Sequence, residues 1–416
     1  MKKIKQIIYR LFKWSEKYLK TDMIYFTKGG FWLTLETVSA SVFGLLLTIG
    51  FANLLPKESF GTYKYMISLA DIVAILSLSG MATAVTQSVA RGFDGVLRKA
   101  FWMNLKWGTI MFIVSIVGAV YYFINDNNTL AIGFLFIGAL TPLQKSAGLY
   151  DAFLKGKKDF RTKTIYGIIR SFISISFLII TIFLTDNPLI ILFVYLASHT
   201  LAALIFDFIT LKRFKVKMKE NYDPLSINFG KHLSFVNIAG KLASQLDNIL
   251  VFHYLGAIQL AIYTFALAPL RHIGKLNMVI KELAFPKISS KSIRETKSGI
   301  LHKTLILFLG MGIIAVLYII AAPYIFKFLF PQYMGSVFFS QIIILSLLIP
   351  STLIGETFDA HLRKKEIYII RTTVPIIKII LLLVLLPFYG IWGAIAATLI
   401  GNFLNFIFCL FFFRKL

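Results

Sequence analysis

Apolar runs of about twenty residues recur along almost the whole chain, and each is long enough to cross the hydrocarbon core of a bilayer as a helix. The chain is 57% hydrophobic and only 15% charged over 416 residues. A soluble protein of that length needs far more polar surface than this supplies. Hydropathy places about twelve spans, centred near Gly44, Ala70, Phe112, Ile137, Ile175, Val194, Ser244, Pro269, Gly312, Leu347, Leu381 and Asn402. Nearly all other residues fall in short loops, which leaves no room for a separate soluble domain.

The net charge of +25 is distributed by topology. Basic residues fill the N-terminal segment and then return at Arg91, Arg98 and Lys99, at 155–163, at 212–219, at 287–297, at 363–371, and at Arg414 and Lys415. The intervening loops, such as Asn125-Asp126-Asn127-Asn128, Asp186-Asn187-Pro188 and Tyr389-Gly390, are nearly bare, with Lys57, Lys64 and Lys327 as exceptions. Lys and Arg gather on the cytoplasmic side of membrane proteins, so both termini are expected there, which requires an even number of spans. The charge is therefore read as topology plus attraction to membrane lipids, and no nucleic acid partner is expected.

The organisation follows. Residues 1–28 form a cytoplasmic amphipathic segment, with Ile4, Ile7, Ile8, Leu11 and Phe12 at helical spacing among Lys and Arg. It has no small-residue cleavage site and lies along the membrane surface. Residues 29–211 are an N-lobe of spans one to six, 212–231 a cytoplasmic basic linker, and 232–416 a C-lobe of spans seven to twelve.

An internal repeat runs across the two lobes. Thr34, Thr37, Ser41 and Thr48 are followed by Leu55-Pro56 and Phe60-Gly61-Thr62-Tyr63. Roughly two hundred positions later, Ser234, Asn237, Lys241 and Asn248 are followed by Leu255-Gly256 and Leu260-Ala261-Ile262-Tyr263. Repeated halves around a central site are a pattern of transporters. The polar groups inside the spans point the same way, because charge at membrane depth is costly and usually faces a cavity or a partner. Span seven carries Ser234, Asn237, Lys241, Ser244, Gln245 and Asn248, with Asp247 alongside; span one carries the Thr and Ser stripe flanked by Glu36. Stripes of Ser and Thr also serve simply to join helices.

Asp71 and Arg271 occupy matching repeat positions and form a candidate salt bridge between the halves. Lys241, Arg271, Lys275 and Lys378 suit an anionic substrate, while Glu36, Asp71 and Asp247 are the acids available for gating or ion coupling. Lys106, Arg170, Glu356 and Asp359 lie nearer the cytoplasmic ends, where long side chains reach the interface. Pro142, Pro269, Pro350 and Pro375 lie within spans and are expected to kink them, with Pro269, two residues before Arg271, the hinge candidate.

The chain resembles the polysaccharide-unit flippases, Wzx-type members of the superfamily that also holds the MATE drug exporters and the lipid II flippase. The resemblance rests on Leu54-Leu55-Pro56-Lys57-Glu58-Ser59-Phe60-Gly61-Thr62-Tyr63 and Gly156-Lys157-Lys158-Asp159-Phe160. It rests also on Leu246-Asp247-Asn248-Ile249-Leu250, continuing through Tyr254-Leu255-Gly256 to Ile262-Tyr263-Thr264-Phe265-Ala266. It implies an all-α integral membrane fold of about twelve transmembrane helices in two six-helix bundles, MATE-like, with a pseudo-two-fold axis along the membrane normal. Spans one, two, seven and eight would line the central cleft.

Such flippases carry an undecaprenyl-pyrophosphate-linked oligosaccharide to the outer leaflet of the bacterial inner membrane by alternating access, for O-antigen or capsule synthesis. The implied partners are the lipid-linked oligosaccharide, membrane lipids and other polysaccharide-assembly proteins. By that resemblance Lys241, Arg271, Lys275 and Lys378 hold pyrophosphate or acidic sugars, and Ser234, Asn237, Ser244, Gln245 and Asn248 bond sugar hydroxyls. Lipid II flippases usually carry two further C-terminal spans, whereas this sequence stops at Arg414-Lys415-Leu416 after the twelfth.

The competing classes are a cation-coupled MATE-type drug exporter, which Asp71 leaves open, and a membrane-embedded enzyme of the same glycan pathway. An enzyme is not expected: the bare loops hold only Asp126 and Asp186, in turn-like settings, and no GxSxG, P-loop or HExxH motif is present. No cofactor is expected. No metal site is expected either, since Cys409 is the lone cysteine and the histidines are scattered without ligand spacing.

Overall fold

The computed structural model describes residues 23–216, 223–236, 238–289, 293–349, 351–361 and 363–415. The amphipathic pattern of Ile4 to Phe12 lies outside them, as does Pro350. Among the described residues all regular structure is helical. The α-helices are α1 (Met23–Leu54), α2 (Lys57–Val73), α3 (Met81–Ala90), α4 (Val96–Ile124), α5 (Asn128–Ala147), α6 (Tyr150–Gly156), α7 (Phe160–Leu184) and α8 (Pro188–Arg213). They continue as α9 (Pro224–Val236), α10 (Ile238–Ser289), α11 (Ile293–Leu329), α12 (Val337–Ile343), α13 (Ser351–Ala360), α14 (Lys364–Tyr389) and α15 (Ile391–Arg414).

Among the described residues ten helices are long and apolar enough to cross a membrane, or eleven if the pair Lys57–Leu76 and Met81–Ala90, bent by 56°, is one broken span. The twelve expected centres all fall within these helices, with those near Ser244 and Pro269 sharing α10. Gly256 (φ 83, ψ 179) interrupts that helix with a conformation that only glycine adopts readily. The limb from Ile238 to Leu255 is about 27 Å long at 1.5 Å per residue, enough to cross most of a bilayer core. Within this helix the non-helical dihedrals fall at Gly256 rather than at Pro269, where the sequence expects the kink.

The described residues form two compact units. The first comprises those of Met1–Thr48, Leu76–Thr181 and Phe193–Val236, and the second Ile49–Ile75, Ile182–Leu192 and Asn237–Leu416. In the first, α4 and α5 form an antiparallel pair joined at Asn127, whose side chain accepts the Leu130 amide at 3.1 Å and caps α5. Glycines let the two backbones approach: a Cβ on Gly108 would stand 2.7 Å from Pro142, and one on Gly138 would stand 2.7 Å from Ser115. A core of this unit joins Met81, Val85, Leu97 and Phe153.

In the second unit α14 and α15 pair through Gly390 (φ 56), and a Cβ on Gly393 would collide with the Leu385 carbonyl. Its core gathers Leu353, Ile354, Phe358, Ile370, Cys409 and Phe413, with a second cluster of Met311, Tyr318, Ile344 and Leu347. Large apolar side chains such as Val117, Phe183, Ile313 and Ile320 stand exposed on the long helices. In water they would be a liability; against lipid tails they are ordinary.

Candidate polar site within the spans

The polar groups of the second unit converge where α2 runs antiparallel to the first limb of α10. Four contacts form a ladder, with helical spacing along α2 and, on α10, from 245 to 252. A Cβ on Gly61 would run into the Ala257 carbonyl, so the backbones are close there. Next, the Tyr65 and Phe252 rings stack at 3.8 Å. Then Asn248 donates to Ser68 Oγ at 3.0 Å, and Gln245 donates to Asp71 at 3.3 Å. Positions 61, 65, 68 and 71 recur at three- and four-residue intervals, which is one face of a helix. Lys64 lies one turn before Ser68, in the electrostatic field of both Arg271 and Asp71.

Arg271 is exposed, as are Asp71, Lys241 and Ser244. Ser244 donates back to the Lys241 carbonyl at 2.7 Å. The salt bridge expected between Asp71 and Arg271 is not among the ion pairs of the described residues; Asp71 instead accepts from Gln245. Position in the repeat relates residues of the two halves, but pairing depends on which helices adjoin, and α2 adjoins the first limb of α10. The side chain of Lys275 and all of Asn237 lie outside the described residues.

Asp247 and Lys378 are drawn together. Lys378 Nζ lies 2.6 Å from Asp247 Oδ2, and the Tyr263 hydroxyl is 3.5 Å from the same oxygen. Asp247 Oδ1 is buried with no hydrogen-bond partner. Gly401 on α15 lies beside the lysine stem: a Cβ there would stand 3.4 Å from Lys378 Cβ and Cγ. The pair is mostly buried, with side-chain exposures of 22% and 13%. Lys378 thus faces a carboxylate of its own unit. Taking two charges out of water is costly, and removing one partner of such a pair leaves the other uncompensated at a cost of about 3–5 kcal/mol.

Other candidates belong to the first unit. Ser234 Oγ accepts from the Gly80 amide at 2.9 Å and donates to the Gly230 carbonyl at 2.7 Å. That hydroxyl therefore joins α9 to the turn before α3, where Gly80, Gly230 and Ala84 admit close approach. Glu36 accepts from Lys163 at 3.0 and 2.9 Å, and Lys163 also reaches Asp151 at 3.2 Å. The Thr164 hydroxyl donates to the Trp32 carbonyl at 2.9 Å. These contacts tie the start of α1 to α7. Thr37, Ser41 and Thr48 return their hydroxyls to carbonyls four residues back, at 2.9, 2.8 and 2.7 Å. In the second unit, Arg371 Nη2 donates to both Asp359 oxygens at 2.9 and 2.8 Å.

Charge distribution places Lys64 with the outer loops, whereas it lies inside α2 on the Ser68–Asp71 face. Tyr263 enters the sequence pattern only as part of the repeat. The signal for both was the spacing 64, 68, 71 and the aromatic after Gly256. Among the described residues no group of three or more His, Cys, Asp or Glu is placed to hold a metal ion. What the second unit offers is cationic and hydrogen-bonding: Lys64, Lys241 and Arg271 with amide and hydroxyl groups, set in apolar helices where an anion is weakly solvated.

Outside the spans, Asp223 begins α9. Its carboxyl is held below the usual carboxylate range by the Ser226 hydroxyl at 2.6 Å, the Leu225 amide at 2.9 Å, and Arg91 at 3.5 Å.

Solved structures share this fold over most of their length. An inward-facing multidrug resistance transporter of the MATE family matches with a TM-score of 0.66 at 12% identity, covering 90% of this chain and 94% of that one. The lipid II flippase MurJ, in an inward closed conformation, matches with a TM-score of 0.61 at 16% identity, covering 92% and 87%. A MOP superfamily transporter from Pyrococcus furiosus, described as having a binding pocket of reverse polarity, matches at 0.56 and 12%, covering 94% and 95%. No curated protein matches the chain in sequence. The family model described as "Polysaccharide biosynthesis protein" matches residues 26–291, and the chain belongs to that family.

Proposed function

We propose that the chain is a flippase that carries undecaprenyl-pyrophosphate-linked oligosaccharide repeat units from the cytoplasmic to the outer leaflet of a bacterial inner membrane. Both termini lie in the cytoplasm, and the lobes 29–211 and 232–416 move against each other in alternating access. It catalyses no covalent chemistry. The observation that carries this reading is the cationic face of Lys64 and Arg271 around Asp71 within membrane-spanning helices. Cations within the spans that outnumber the acid beside them favour an anionic cargo, and pyrophosphate oxygens accept charge-assisted hydrogen bonds. Gln245, Ser244 and Asn248 supply donors and acceptors suited to sugar hydroxyls.

The experiment is a deletion strain in which lipid-linked repeat units on the cytoplasmic leaflet are quantified. Accumulation relieved by the wild-type chain and not by Arg271→Ala supports the reading. Absence of accumulation, with a gain in drug sensitivity instead, replaces it with drug export, as in the multidrug resistance MATE transporter that shares the fold.

A further inference from the structure

Inside the first unit, α7 and α8 run antiparallel in a register set by three contacts. Arg213 donates to Thr162 Oγ1 at 2.8 Å, the Tyr166 and Phe206 rings stack at 4.4 Å, and Ser174 Oγ lies 2.6 Å from His199 Nδ1. Positions 162, 166, 170 and 174 follow at four-residue steps, so Arg170 belongs to the same face. By that register it stands opposite Ala202 and Ala203, both buried, which offer its guanidinium neither charge nor hydrogen bond. The sequence expects Arg170 to reach for the membrane interface. Instead it bonds the hydroxyl of Tyr150, whose ring centroid is 5.8 Å from that of Phe206 and 6.1 Å from that of Tyr166.

The histidine tautomer follows from burial. Ser174 is fully buried, and His199 Nδ1 is its one hydrogen-bond partner among the described residues. Its hydroxyl therefore donates to Nδ1, because the opposite direction would bury the O–H unsatisfied. Nε2 then carries the hydrogen, a donor that meets no acceptor among the described residues. The charges of Arg170 and Lys145 both act on this ring. Lys145 lies in the last turn of α5, a helix whose Leu140 carbonyl accepts from Thr200, the residue after His199, at 3.4 Å.

The acids of this interior are already engaged. Glu36 lies 2.9 Å and Asp151 3.2 Å from the single ammonium of Lys163, and Asp151 and Lys163 act on the same Tyr150 hydroxyl as Arg170. Asp207, further along α8, is matched by the charge of Arg98. Lys145, Lys163 and Arg170 set against Glu36 and Asp151 leave one positive charge in excess. An uncompensated charge at membrane depth is costly, and one bound monovalent anion cancels it.

We propose that the first unit holds a resident halide, chloride in chemical class, between α5, α7 and α8, received by Arg170, Lys145 and the Nε2–H of His199. Charge-assisted bonds from three helices make the ion a cross-link of this bundle. It is a ligand of the protein itself, separate from the cargo, whose proposed cations are in the second unit.

The test uses the purified full-length chain in detergent, with chloride compared against gluconate at one ionic strength so that screening is equal. Binding is measured by equilibrium dialysis of radiolabelled chloride, and stability by the midpoint of thermal unfolding. The wild type is expected to bind chloride, with a midpoint that rises with chloride concentration and stays level in gluconate. Arg170→Gln keeps a donor for the Tyr150 hydroxyl, and Lys145→Gln breaks no ion pair among the described residues. Each should weaken chloride binding about tenfold or more. In gluconate each should unfold no lower than the wild type, since the excess charge is gone. Arg271→Gln, in the second unit, should keep the rise with chloride. A rise lost in Arg271→Gln and kept in both first-unit variants overturns the resident ion and leaves the flippase reading standing. Equal wild-type midpoints in chloride and gluconate overturn the resident ion outright.

Discussion

Asn248 on α10 donates from Nδ2 to Ser68 Oγ on α2 at 3.0 Å, and both side chains are buried. Ser68 in turn donates to the Lys64 carbonyl at 3.1 Å, so the bond links two helices through a hydroxyl already engaged with its own backbone. Asn248→Ala removes the interhelical bond and leaves a small void. A loss of about 1–3 kcal/mol is expected, seen as a lower midpoint of thermal unfolding in detergent. Ser68→Ala should cost at least as much, because Asn248 Oδ1 already lacks a partner and the change leaves the buried Nδ2 unpaired as well. Equal midpoints for wild type and Asn248→Ala would show that the bond contributes nothing.

The ion pair of Glu36 and Lys163 joins α1 to α7, with side-chain exposures of 24% and 11%. Lys163→Met takes the same cation from Glu36 and from Asp151. A destabilisation of up to about 3–5 kcal/mol is expected, and Glu36→Gln added to Lys163→Met should recover much of it. A double variant no more stable than Lys163→Met would mean that the pair is not the source of the loss. The measurement is a double-mutant cycle read by thermal unfolding.

At the entrance to α9, Asp223 is a group whose folded-state proton affinity is depressed, first by the Ser226 hydroxyl and then by the Leu225 amide and Arg91. Its contribution to stability is present above the unfolded carboxylate value of about 3.9 and is lost as pH falls through the lower folded value. The expected outcome is a thermal midpoint that this group leaves unchanged from neutral pH down to about pH 4 and lowers in stronger acid. Asp223→Asn should flatten that acid limb and leave the neutral limb shallow. An acid limb identical in the two proteins would assign the loss to other carboxylates.

Much of this architecture is legible in the sequence because the bilayer imposes one length on every span. The centres near Gly44, Phe112, Ile175 and Leu381 each fall inside a long apolar helix. Gly256 is less legible: glycine in an apolar stretch is compatible with a helix, and only its positive φ shows that one run is two limbs. Side-chain partnerships are the least legible, since they depend on which helices adjoin. Asp247 and Lys378 are 131 residues apart, and nothing in their spacing announces a contact of 2.6 Å. Ser234 reads as one of a polar stripe, yet glycines at 80 and 230 bring two helices so close that its hydroxyl is consumed between them. Lys64 was hidden by averaging, because a single cation in an apolar window barely moves its hydropathy while the helix places it on the Ser68–Asp71 face.

That face gives the sharpest functional prediction. Lys64 lies within the field of Arg271 and Asp71, and it is half-buried where Arg271 is exposed. If the two cations share one anionic group, Lys64→Gln removes one charge-assisted contact, worth about 1.5–3 kcal/mol. Transport should then fall roughly ten- to hundredfold, with folding intact because Gln fills a similar volume. Arg271→Lys should retain more activity than Arg271→Ala, since the charge survives and the forked geometry does not. Restoration of the lipid-linked intermediate to wild-type levels by Lys64→Gln would place Lys64 outside the cargo path. The same strain measures both outcomes: the amount of lipid-linked glycan left on the cytoplasmic leaflet, set against the amount of each variant in the membrane.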